Sequence, residues 1–114
     1  MNAARDPNDP FARWWNDVFM PDVIRPLQRE LRTRATFSLV QVYTGIKPTA
    51  VRQWAGAHKV PAMPQPWQIH KIAVGFELDD DQRDELWSAW VSAARYRCET
   101  GQIKKATIGC MERR

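Results

Sequence analysis

Long apolar runs are missing from this sequence. Nowhere do eighteen apolar residues follow one another, so no membrane-spanning helix is encoded. Cysteine is scarce: Cys98 and Cys110 are the only two, and only His58 and His70 could join them at a metal. Their spacings match no zinc pattern, and free thiols in a reducing compartment are the expectation. The first residues carry no basic segment followed by an apolar stretch, which points to a cytoplasmic protein without a secretory signal. Alternation with period two is absent as well, so no sheet is expected. There is no nucleophile motif, no glycine-rich phosphate loop and no metal constellation; neither an enzyme nor a cofactor is expected.

What is present suits one folded domain. A chain of 114 residues with 44% hydrophobic and 26% charged residues can bury a real core. The net charge of +4 is unevenly spread. Residues 21–59 hold seven basic and two acidic side chains, a net of +5, while residues 60–97 hold four basic and six acidic ones, a net of −2. Such a concentration of positive charge favours a polyanionic partner.

Helical periodicity runs through most of the chain. Asp9 followed by Pro10 is a helix start, an N-cap with proline at the first helical position. Phe11, Trp14, Trp15, Val18 and Phe19 then repeat with a period near 3.6. Pro21 predicts an end near Met20, because the residue before proline avoids helical geometry. A second helix is predicted from Asp22 to about Arg34, with Ile24, Leu27 and Leu31 inward, Arg25, Arg29 and Arg32 on another face, and Pro26 in or near its first turn. Short helices follow over about 36–43, 48–56 and 64–75. The last opens at Asp79, with Gln82 as capping-box partner and Asp80 and Asp81 in the first turn. Leu86, Trp87, Trp90, Val91 and Ala94 form its apolar stripe.

The stretch carrying function is Thr36 to Trp54, TFSLVQVYTGIKPTAVRQW. Two short helices joined by a tight turn need a residue tolerant of positive φ at the bend, and Gly45 supplies it. Val40, Thr44, Ile46, Val51 and Trp54 fall at inward positions of both helices. Pro48 pre-sets the backbone of the second. Thr49, Arg52, Gln53 and in part Pro48 are left outward, where a recognition helix meets the major groove.

This segment resembles the helix-turn-helix of the lambda-repressor-like family, also called the xenobiotic-response-element type. Downstream, Trp54, Gly56 and Pro61 in WAGAHKVP look like that family's tryptophan, glycine and proline after the recognition helix. The run PQPWQIHKIAVGFELDDDQRDELWSAW is similar to its next helix and the acid-capped helix after it. The likeness covers about residues 22–96. It implies that Thr49 and Gln53 face base edges, Arg52 the bases or a neighbouring phosphate, and Lys47 and Lys59 the phosphate backbone, with His58 close by. Three positions depart from the family pattern: Gln41 where a small residue is usual, Phe37 in place of a polar residue, and Pro48, which offers no donor.

The expected fold is therefore all-α, a compact bundle of five to seven helices containing one helix-turn-helix. It divides into an aromatic N-terminal extension (1–20), the helix-turn-helix domain (21–97) and a basic tail (98–114). The expected function is sequence-specific binding of double-stranded DNA as a homodimeric transcriptional regulator, most simply a repressor. The alternative is a protein-interaction module on the same scaffold, an antirepressor or antitoxin-like partner. Phe37, Pro48 and the N-terminal aromatic stripe, which could also take a protein partner, motivate it.

Overall fold

Asp9 and Pro10 open the first helix in the computed structural model, which describes residues 8–54 and 63–101. Asp9 is extended and its carbonyl accepts from the Arg13 amide at 3.0 Å. The helix then continues well beyond the expected stop at Met20. An α-helical segment, Pro10–Trp14, passes into a wide-turned π-type segment, Trp15–Ile24, and back into an α-helical one, Arg25–Leu31. We call this continuous helix α1.

Pro21 lies inside it and does not end it. In an α-helix proline clashes with the carbonyl four residues earlier and removes a hydrogen bond. The widened turn relieves that crowding: the Arg25 amide reaches back five residues to the Met20 carbonyl. The Asn16 side-chain amide donates to the Ala12 carbonyl at 2.8 Å as the pattern changes. Pro26 also lies inside this helix, in the first turn of the third segment directly after the wide turns. Two helices were expected where there is one, because local proline rules do not register a change of helical pitch.

Four further helices follow among the described residues: α2 (Phe37–Thr44), α3 (Pro48–Trp54), α4 (Pro66–Gly75) and α5 (Asp80–Glu99). No strand occurs among these residues, so the all-α expectation holds. The start of α1 packs against α5, while α2 packs against both α3 and α4. Aromatic rings join the two halves. Trp14 and Trp15 lie 5.1 and 4.8 Å from Phe19, Phe19 meets Phe76 edge-on at 5.2 Å, and Phe76 lies 5.2 Å from Tyr43. Offset and edge-to-face pairs at such separations contribute about 0.5–1.5 kcal/mol each beyond their burial. Phe11, Trp14, Trp15 and Phe19 are all buried within the chain, so these rings form part of its core.

The last helix is capped as its sequence indicates. The Gln82 amide donates to the Asp79 carboxylate at 2.8 Å, and the Asp79 amide to the Gln82 side-chain oxygen at 2.9 Å. Its buried face is narrower than the expected stripe. Leu86, Trp90, Ala93 and Ala94 are buried, whereas Trp87 and Val91 lie 36% and 40% exposed on its outer side. Trp87 still touches Trp90 edge-on, and Trp90 donates its indole N–H to the Pro64 carbonyl at 2.8 Å.

Where α4 crosses α2, the backbones approach closely. A Cβ on Gly75 would stand 2.3 Å from the Tyr43 carbonyl oxygen, a backbone atom that cannot move alone. Gly75→Ala should therefore force the two helices apart, at a cost near the upper end of overpacking, about 3 kcal/mol. Urea unfolding measures it, and a neutral result would place α4 elsewhere.

Candidate nucleic-acid interface

Three residues separate α2 from α3, and the turn they make is built from its own side chains. Gly45 closes α2 at φ +77°, its amide donating to the Gln41 carbonyl at 2.7 Å. The Thr44 hydroxyl donates to the Val40 carbonyl at 2.6 Å and accepts from the Ile46 amide at 3.1 Å. One buried hydroxyl thus ties a carbonyl in the last turn of α2 to an amide of the connection, while Ile46 enters the core. The Lys47 carbonyl accepts from the Ala50 and Val51 amides at 3.1 and 3.3 Å and starts α3.

At about 100° per residue, the faces of α3 separate cleanly. Val51 and Trp54 are buried in the core with Val40 and Ile46, and Ala50 is half-buried. Thr49, Arg52 and Gln53 are exposed on the other side, with Lys47 exposed at the helix start and Pro48 half-buried beside it. The five described candidates therefore lie together on α3 and at its start, four of them exposed. His58 and Lys59 lie outside the described residues.

Phe37 has a role that sequence reasoning did not assign. Its half-buried ring packs against the core at the start of α2, and the Arg52 guanidinium lies over it, 5.4 Å from the centroid. A cation over an aromatic face is held by the ring quadrupole for about 0.5–1 kcal/mol at an exposed site. Phe37 thus steadies Arg52 in place of contributing a polar group of its own. Gln41 is exposed, so it does not stand between the helices at the α2–α3 crossing.

A second basic surface lies at the end of α1. Arg25, Arg29, Arg32 and Arg34 line one hollow with Gln28 and Thr33 at the end of α1. The Gln28 side-chain amide donates to the Ala35 carbonyl at 2.9 Å and reaches Thr36 Oγ1 at 3.2 Å. That bond fastens the 33–36 connection against α1 and sets the start of α2, where Phe37 and Arg52 meet. Among the described residues, no three His, Cys, Asp or Glu side chains gather as metal ligands, and no helix is long and apolar enough to cross a membrane. Compared with protein families, characterised proteins and solved structures, the chain matches none.

Proposed function

We propose that this protein binds double-stranded DNA sequence-specifically, with α2 and α3 acting as a helix-turn-helix and α3 as the recognition helix. The carrying observation is the outward face of α3: Thr49, Arg52 and Gln53 exposed together above a buried Val51 and Trp54. Arginine and glutamine make bidentate contacts to guanine and adenine edges, each giving roughly 1–3 kcal/mol of base discrimination. Lys47 and Lys59 supply phosphate contacts that set register without reading sequence. His58 is a further candidate for contact with the same backbone. The protein acts in the cytoplasm as a transcriptional regulator, most simply a repressor, and binds as a two-fold dimer on half-sites about 34–36 Å apart. With the aromatic rings of α1 buried, the outer face of α5 around Trp87 and Val91 is the surface for that pairing.

Duplexes selected from random sequence supply the cognate site for the test. Arg52→Ala or Gln53→Ala is expected to lose roughly 1–3 kcal/mol on that site and to relax preference at one base position. Lys47→Ala should weaken cognate and scrambled duplexes alike and flatten the log–log salt slope by about one unit. Titration of a palindromic site should saturate at two chains per duplex. Silent Arg52 and Gln53 variants would remove the reading. A protein-interaction module on the same scaffold would then stand, supported by the exposed apolar side chains of Val42, Trp67 and Val74.

A further inference from the structure

We propose that the arginine hollow at the end of α1 is a second phosphate-binding site, one that holds the backbone of the same duplex that α3 reads. This rests on the DNA-binding reading above and adds to it a surface outside α3. Three observations carry it.

The first is charge without compensation. Arg25, Arg29, Arg32 and Arg34 surround one hollow, all four are exposed, and none is paired with an acid among the described residues. Four like charges around one hollow raise the local positive potential and favour an anion between them. The planar fork of each matches phosphate oxygens two at a time.

The second is backbone geometry. Arg32 closes α1 in the left-handed conformation, with φ 53° and ψ 48°. Glycine occupies that conformation without steric cost and is the usual residue there. Here the position carries a guanidinium into the hollow instead.

The third is placement. Gln28 lines the hollow and bonds to Thr36, the residue before the first turn of α2. The next residue, Phe37, carries Arg52 of α3 on its ring. Both basic surfaces thus connect to the start of α2 through these contacts, and an extended polyanion lying along α3 is the ligand proposed to reach both.

The variant Arg29→Ala/Arg32→Gly tests this without threatening the fold. Alanine is the best residue for an exposed helical position, and glycine relaxes the left-handed turn. Fluorescence anisotropy on cognate and scrambled duplexes, over a series of salt concentrations, reads the effect. Losing two phosphate contacts should flatten the log–log salt slope by about 1.8 and weaken both duplexes by about 50-fold near 0.1 M salt. Base preference should not change.

An unchanged slope in this variant, with a flattened slope in Lys47→Ala, overturns the inference and leaves the recognition helix standing. A flattened slope together with silent Arg52 and Gln53 variants supports the hollow and removes the reading head. Calorimetric titration with tripolyphosphate distinguishes a free phosphate-rich ligand: if the variant loses only that binding and keeps its duplex affinity, the hollow does not serve DNA. Failure of the unaltered protein to bind any duplex removes both proposals.

Discussion

Trp54→Ala is expected to destabilise the protein by about 3–5 kcal/mol, the range for removing a large aromatic side chain from a packed core. Trp54 is 2% exposed and belongs to the same buried cluster as Val40, Ile46 and Val51. It ends the described part of α3 and, with Val51, holds that short helix to the rest of the core. Seven residues make a helix too short to persist by itself, so its order derives from this packing. Against a typical total stability of about 5–15 kcal/mol, the loss is a large fraction. Urea unfolding followed by far-ultraviolet circular dichroism measures it, and Trp54→Phe, which keeps an aromatic ring, should lose much less. A change below about 1 kcal/mol in the alanine variant would contradict the burial of Trp54. The outward position of Thr49, Arg52 and Gln53 would then lose its basis, since both faces belong to one helix.

The same coupling of faces explains how much could be read from residues alone. On α3, burial of Val51 and Trp54 and exposure of Thr49, Arg52 and Gln53 follow from helical periodicity once Pro48 marks the start. The turn at Gly45 and the Asp79–Gln82 capping box are equally local, and both were legible. Pro21 misled for a related reason: the rule that it ends a helix assumes an α-helical pitch, and the wide turns around it meet the steric demand differently. Gly75 gave no signal, because its role comes from Tyr43 across another helix. The Phe37–Arg52 pair and the arginine hollow depend likewise on how α1, α2 and α3 are placed. Trp87 and Val91 fit the helical stripe of α5 but fall at its edge, where the width of the covering surface decides burial.

The least legible feature makes the other large prediction. Asp9 stands at the N-cap of α1 as expected, but its carboxylate makes no capping bond. It is instead buried against Arg97, 88 residues away near the end of α5. The Arg97 Nε lies 3.2 Å from each carboxylate oxygen, and a terminal nitrogen of the guanidinium also bonds to Oδ2. Side chains this deeply buried have exchanged hydration for each other, so removing either one breaks a charge pair inside the core. Arg97→Met is therefore expected to cost about 3–5 kcal/mol, and Asp9→Ala a comparable amount. The double variant should recover much of that loss, since a buried pair replaced by apolar groups is often close to neutral. Arg97→Lys should recover little, because a point charge cannot reproduce the two-oxygen fork. Equilibrium unfolding of the four proteins gives the coupling energy directly. Strictly additive losses would mean that each side chain acts through other neighbours. A large coupling would identify this pair as the tie holding the start of α1 to the end of α5, the two elements that carry the aromatic half of the core.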